Sequence, residues 1–121
     1  MAIESIYAGL MKHVHKEGFS EKELYGAYKI FFGTLVSEAR LKIMNLLMKG
    51  EKNVSEIVKE LKIDQTSVSH DLTRLKRCGF VKLEVKGKFR YYSLNEDIKQ
   101  IMKLINEHMN EYCIHILNGE K

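Results

Sequence analysis

The chain has 121 residues, of which 45% are hydrophobic and 30% are charged, and this composition predicts one small soluble domain. No apolar run approaches the roughly 18 residues of a membrane span, and the N-terminus lacks the unbroken apolar stretch of a signal peptide. We therefore expect no membrane partner and a cytoplasmic location, in which the two cysteines are reduced thiols.

The net charge of +4 is concentrated in the middle of the chain. Residues 36–92 carry 13 Lys/Arg against 7 Asp/Glu, whereas residues 1–35 carry 4 against 4 and residues 93–121 carry 3 against 5. A basic middle segment indicates a polyanionic partner. A lysine-rich solvated surface would give the same counts.

Two amphipathic helices are predicted in residues 1–35, which we interpret as an N-terminal extension. Apolar residues recur at helical spacing from Ile3 to Val14, and Gly18 should end the first helix. Ser20 and Glu23 have the spacing of a capping box that starts the second. We expect both helices to pack against the last helix and enlarge a dimer interface. Their aromatic stripe, Tyr28, Phe31 and Phe32, is interpreted as core rather than as a ligand pocket, and an effector cavity among these helices is the alternative.

The middle of the chain predicts three further helices and a hairpin. A buried helix should run from a cap at Ser37 towards Gly50, a short helix should cover residues 54–61, and Asp64 or Thr66 should cap the helix that follows. After Gly79 the apolar period changes to two. The segments FVKLEV and FRYYSL are therefore predicted strands, joined at Lys86-Gly87-Lys88. A long helix over residues 95–117, capped by Asn95, should complete the chain.

The helix within QTSVSHDLTRLKRCGFV has an unusual distribution of side chains. Its apolar residues form only a narrow stripe of Val68, Leu72 and Leu75, and the rest of its surface is polar or basic. Two short helices joined by a tight turn can present the second one to a DNA major groove. The polar face of this helix is thus predicted to hydrogen-bond to base edges and phosphates, with the hairpin as a flanking basic finger.

The segment from residue 34 to 94 resembles the winged-helix repressors of the ArsR/SmtB type. The most specific part is QTSVSHDLTRLKRCGFV, followed by a basic hairpin and an aromatic-Ser-Leu ending. The resemblance implies a mainly α fold with a small β-hairpin, a winged helix–turn–helix in residues 36–94 of a single domain over residues 1–121, and a C-terminal dimerisation helix in residues 95–117. It also implies a homodimeric repressor whose two recognition helices enter successive major grooves, and whose DNA is released by an effector.

The predicted contacts to double-stranded DNA fall into three groups. Base-edge or phosphate contacts are expected from the N-terminal half of the recognition helix, at Gln65, Thr66, Ser67, Ser69, His70 and Thr73. Arg74 and Arg77, later on the helix, should meet the backbone, and Lys86, Lys88 and Arg90 should bring the wing to phosphate or to the minor groove. Asp71 departs from the resemblance, because the family often has histidine there. We expect it to turn inward, to pair with Arg74, or to accept a hydrogen bond from a cytosine amino group.

The effector is not identified by the sequence, and no cofactor is predicted. The helix NVSEIVKEL lacks the Cys-x-Cys of one metal-sensing plan that the resemblance suggests. On the last helix, His108, Glu111 and His115 would share one shoulder and could bind Zn²⁺. However, the two histidines are seven positions apart, whereas the family separates its pair by about eleven. We interpret them as polar residues beside a dimer seam, which is predicted at Ile98, Ile101, Met102, Ile105, Met109, Tyr112 and Ile116.

The two cysteines offer a different kind of switch. Cys78 is interpreted as a buried structural thiol, and Cys113 should lie on the apolar face of the last helix. A disulfide between them would need Cα atoms within about 7 Å.

The alternatives to a DNA-binding regulator are a protein-binding module and an enzyme. A winged helix can also bind a protein partner without specific DNA binding, and this remains the alternative to a regulator. The chain has no Gly-rich phosphate loop, no HExxH motif and no nucleophile elbow, so we do not expect an enzyme.

Overall fold

The computed structural model describes residues 3–117 and 119, with side chains from residue 6 onwards. The side chain of Ile3, with which the first predicted stripe begins, therefore lies outside the described residues. The chain divides into two compact units, Met1–Val36 and Ser37–Lys121. In the part of the chain that is described, no helix combines the length and the apolar character needed to cross a membrane.

The first unit is a pair of helices, α1 (Ile3–Lys16) and α2 (Glu21–Leu35). Gly18 adopts a φ of +85°, and the Phe19 N–H bonds to the carbonyl of Val14, which closes α1 as predicted. The predicted capping box is confirmed, since Ser20 and Glu23 each accept a hydrogen bond from the other's backbone N–H. The aromatic stripe was predicted to be core, but it does not form one within this chain. Tyr28 and Phe32 are exposed, and Phe31 is half-buried.

The second unit has the predicted order of helices and strands, with additions. Its elements are α3 (Glu38–Leu47), β1 (Lys52–Asn53), α4 (Val54–Leu61), α5 (Gln65–Arg77), β2 (Val81–Lys86), β3 (Phe89–Leu94), α6 (Glu96–His108), a π-helical turn (Met109–Cys113) and α7 (Ile114–Leu117). The three strands are antiparallel in the order β1-β3-β2. The two-residue strand β1 was not predicted, because it is too short to show an alternating pattern.

Residues from the helices and from the sheet of this unit form its core. The largest side chains that are almost wholly buried are Ile43, Met44, Leu47, Ile57, Val68, Leu72, Leu75, Phe80, Leu94 and Met102. The confirmed prediction of a buried α3 explains the arrangement, because α3 contacts both helices of the helix–turn–helix and the strand β3. The core thus holds α5 by its narrow stripe and leaves its other face exposed.

The last helix differs from the continuous helix that was predicted. At Met109–Cys113 the backbone forms a π-helical turn, and the Ile114 N–H bonds to the carbonyl of Met109, five residues back. Such a turn displaces all later residues by about one position relative to an α-helix, which is a rotation of about 100°. Asn95 occupies the predicted N-cap position, but its side chain makes no cap bond. Its Nδ2 instead donates to the carbonyl of Gly79 at 2.6 Å.

Candidate nucleic-acid interface

The recognition helix α5 begins at a well-defined turn. Lys62 ends α4 in the left-handed region, with a φ of 56°, and Asp64 then caps α5. The Asp64 carboxylate accepts the Ser67 backbone N–H at 2.9 Å and the Ser67 hydroxyl at 2.8 Å. These two bonds, the backbone one first, lower the pKa of Asp64 below its ordinary value of 3.8. Of the two predicted caps, Asp64 is therefore the one used, and the Ser67 hydroxyl serves the cap.

The outer face of α5 presents hydrogen-bonding groups to solvent. Val68, Leu72 and Leu75 are fully buried, which directs the opposite side of the helix outward. Five of the six residues predicted for the N-terminal half of α5 line one shallow surface groove, namely Gln65, Thr66, Ser69, His70 and Thr73. All five are exposed. The Thr73 hydroxyl donates to the carbonyl of Ser69 at 3.0 Å, and its oxygen still has capacity to accept.

The end of α5 is basic. Arg74, Lys76 and Arg77 all lie in the last turn, where cations interact favourably with the helix dipole. Arg74 and Arg77 are exposed, as contacts to a phosphate backbone require. The segment therefore offers small hydroxyl and amide groups at its start and guanidinium groups at its end.

The sequence suggested Arg74 as a partner for Asp71, but the structure shows a different partner. The Asp71 carboxylate accepts a hydrogen bond from Arg40 of α3 at 3.1 Å, and the two side chains are only 15% and 14% exposed. The expectation that this acid turns inward is confirmed, and the expected partner is wrong. The partner was missed because Arg40 precedes Asp71 by 31 residues, beyond the reach of any pattern within α5.

The wing is the hairpin of β2 and β3, turned at Gly87 with a φ of +64°. Lys86, Lys88 and Arg90 are exposed, as the prediction requires. The Lys86 ammonium, however, forms an ion pair with Glu51 and lies 5.4 Å from the centroid of the Tyr91 ring. The hydrogen bond to Glu51 is the main cause of a raised pKa for Lys86. This wing cation therefore already has an anionic partner in the protein alone.

An exposed aromatic residue on the wing was missed by the sequence interpretation. Phe89 lies opposite Lys86 in the hairpin, it is exposed, and its ring centroid is 6.4 Å from that of Tyr91. Strand alternation could have revealed it, because Tyr92 and Leu94 are buried and Phe89 and Tyr91 point to the other face.

The side chains considered for an effector site do not come together within one chain. The residues that the structure describes contain no group of three or more His, Cys, Asp or Glu side chains that could hold a metal ion. The π-helical turn lies between His108 and His115 in the sequence, and the His108 ring packs against Tyr112 with centroids 4.7 Å apart. Cys78 and Cys113 are not joined in a disulfide. Cys78 is half-buried rather than buried as predicted.

Together, the fold and this surface define a class. A buried α3, two helices joined by a tight turn, an exposed polar second helix and a basic hairpin constitute a winged helix–turn–helix DNA-binding protein. Residues 37–82 match the family model described as bacterial regulatory protein, arsR family. The chain belongs to the ArsR family, whose members are transcriptional regulators and not enzymes.

Individual relatives agree with this assignment. The chain is 36% identical over 87 residues to an uncharacterized HTH-type transcriptional regulator of Methanocaldococcus jannaschii. The match covers 70% of this chain and 98% of that protein. It is 35% identical over 69 residues to the transcriptional repressor SdpR of Bacillus subtilis, covering 57% and 77% of the two chains. A homodimeric winged helix-turn-helix DNA-binding domain from Mycobacterium bovis is similar in structure, with a TM-score of 0.71, 27% identity and coverage of 76% and 86%.

Proposed function

We propose that this protein is a homodimeric transcriptional repressor that binds a specific DNA sequence and responds to an effector. The observation that carries the proposal is the exposed groove of α5, lined by amide, hydroxyl and imidazole groups, on a helix whose opposite stripe is fully buried. Such groups suit base edges in a major groove. The name of the relative SdpR supports repression as the regulatory outcome.

The proposal gives each predicted residue a part in DNA binding. The proposed base-reading group is Gln65, Thr66, Ser69, His70 and Thr73. Ser67, in the opening turn of α5, is proposed to contact a phosphate. Arg74 and Arg77 take phosphates at the end of the helix, and Lys86, Lys88 and Arg90 take phosphates along the wing. Because direct readout and phosphate contacts contribute differently, the two groups should respond differently to substitution.

The dimer is proposed to form through the C-terminal helix region, residues 95–117. Part of the predicted seam is already occupied, because Ile98 and Met102 are buried within the chain's own core. An exposed apolar set remains, comprising Ile101, Leu104, Met109, Tyr112, Ile114, Ile116 and Leu117. A seam of this kind is consistent with the homodimeric Mycobacterium bovis relative. In this proposal residues 1–35 enlarge the interface, residues 36–94 bind DNA, and the protein acts on DNA in the cytoplasm.

The test of DNA binding is selection of duplexes from a random-sequence pool, followed by fluorescence anisotropy on the enriched sequence. We expect a near-palindromic sequence to be enriched. His70→Ala should reduce discrimination between the enriched and a scrambled duplex, whereas Arg77→Ala should weaken both and lower the salt slope by about 1 per contact. Lys49→Ala, at an exposed position after α3 and outside the proposed DNA-binding and dimer residues, is the matched control for loss of charge.

The opposite result has a definite meaning. If no sequence is enriched and duplex binding is weak and insensitive to salt, phosphate contacts are absent. The protein is then a winged-helix module that binds a protein partner. Sedimentation equilibrium of Leu104→Glu, which places a charge on the exposed apolar set, tests the dimer: we expect monomers, and an unchanged mass would contradict the proposed seam.

The effector is tested by following duplex affinity during two titrations. Zinc is added to the reduced protein in competition with a chromophoric chelator, and separately the thiols of Cys78 and Cys113 are oxidised. The described residues of one chain contain no suitable group of three, so we propose that any zinc site takes ligands from both chains of the dimer. Unchanged affinity in both titrations would exclude zinc and thiol oxidation as effectors.

A further inference from the structure

The ion pair between Arg40 and Asp71 joins α3 to the flank of the recognition helix. Arg40 Nη1 lies 3.1 Å from Asp71 Oδ1, and the side chains are 14% and 15% exposed. The contrast with a surface pair such as Lys42–Glu38, whose side chains are 55% and 84% exposed, is large. Arg40 and Asp71 lie outside the set of residues proposed to touch DNA, so their pairing needs a separate explanation.

The packing of α5 within the chain is mainly apolar. Val68, Leu72 and Leu75 form a single line along the helix, and their apolar contacts are not directional. These contacts with α3, α4 and β2 hold the helix in place, and a directional contact beside them defines its rotation about its own axis more sharply. A charge-assisted hydrogen bond is directional, and Asp71 lies about 60° around the helix from Val68 at 100° per residue. Its bond to α3 restrains this rotation.

The size of a small rotation shows why this matters for recognition. Side-chain tips lie about 5–6 Å from the axis of a helix, so a roll of about 20° moves them by about 2 Å. Hydrogen bonds to base edges hold only within donor–acceptor distances of about 2.7–3.2 Å. The short side chains of Thr66, Ser69 and Thr73 cannot compensate for such a shift. Long side chains such as Arg77, which meet phosphates, can compensate.

We propose that Asp71 is a positioning residue that, through Arg40, sets the rotation of α5 and so determines sequence discrimination without touching DNA. The inference rests on the proposed function as a sequence-specific DNA-binding protein. It explains why an acid is present on a helix that faces phosphates, where its charge alone opposes binding. It also predicts that removal of this negative charge weakens binding to the selected duplex, whereas charge alone would strengthen it.

The experiment compares Asp71→Asn and Asp71→Ala with the wild-type protein on the selected duplex and on a scrambled duplex of equal length. Anisotropy is measured over a range of salt concentrations, at temperatures where every variant is folded by circular dichroism. We expect affinity for the selected duplex to fall at least tenfold. Affinity for the scrambled duplex should stay equal or rise, and the salt slope should be maintained. Asp71→Glu, which keeps the carboxylate, should retain most of the discrimination.

The control is Glu84→Gln, which removes one negative charge from an exposed position on the wing strand β2. This variant should tighten binding to both duplexes equally, because it acts through charge alone. If Asp71→Asn does the same, the positioning role is overturned. If the wild-type protein itself does not distinguish the two duplexes, the proposed function fails, and that result is recognisable before any variant is measured.

Discussion

Replacement of Glu51 by glutamine should strengthen DNA binding by releasing a cation of the wing. In the protein alone, the Lys86 ammonium is paired with Glu51, and the pair is partly exposed. Binding to a phosphate requires Lys86 to give up this partner, so part of the interaction with DNA is cancelled. Glu51→Gln removes the competing carboxylate and leaves the lysine and its neighbour Tyr91 in place.

The expected magnitude follows from the release of counterions. Each additional neutralised phosphate steepens the dependence of log affinity on log salt by about 0.9. Between 50 and 200 mM salt, the affinity of the variant should therefore fall more than that of the wild type, by an extra factor of about 3.5 for one protomer and about 12 for a dimer. The assay is fluorescence anisotropy of a labelled duplex over that salt range, with the slope as the primary readout.

Two variants make this measurement decisive. Glu38→Gln frees Lys42 of α3 from a similar ion pair whose residues are not among those proposed to contact DNA, and it should leave the slope unchanged. In a Lys86→Ala background, Glu51→Gln should lose most of its effect. Equal slopes for Glu51→Gln and wild type, or an undiminished effect without Lys86, would show that the ion pair does not compete with DNA.

Two further predictions concern the stability of the recognition helix. Asp64→Ala should lower the melting temperature at pH 7, because the cap of α5 is lost. The pKa of Asp64 is lowered in the folded protein, so the stability that its carboxylate contributes is present above the ordinary pKa of 3.8 and is lost as the pH falls through the folded pKa. The melting temperatures of the two proteins should therefore converge under acid conditions. Asp64→Ser should restore most of the stability at neutral pH, and an equal difference at every pH would exclude the carboxylate. Leu72→Ala should reduce the free energy of unfolding in urea by about 2–5 kcal/mol, because the side chain is fully buried. Val85→Ala, at an exposed position, is its control, and similar losses for both would contradict the assignment of the stripe as core.

Local sequence signals predicted most of the winged helix. The start of α5 could be recognised from an acid directly before a helical pattern, and the hairpin from period-two alternation on either side of a glycine turn. These features depend on residues within a few positions of one another. The same holds for the capping box of Ser20 and Glu23, which was predicted and is confirmed.

Features that depend on distant partners could not be predicted in this way. Arg40 meets Asp71 across 31 positions, and Glu51 meets Lys86 across 35. Periodicity within one helix or strand contains no information about such pairs. The π-helical turn was missed for a related reason: the residues Met109–Cys113 are compatible with an ordinary helix, and only the three-dimensional structure reveals the wider turn.

The placement of β3 in the centre of the small sheet has a consequence for how this surface can change. β1 pairs with the end of β3 near Tyr91 and Tyr92, whereas the turn at Gly87 lies beyond that pairing. The base of the hairpin is thus held by β1, which leads into α4. Near the turn, β2 and β3 pair only with each other. Residues can be inserted at the tip without altering the ladder that supports α4 and α5. The length of the wing and the outer face of α5 can therefore evolve separately within one compact framework.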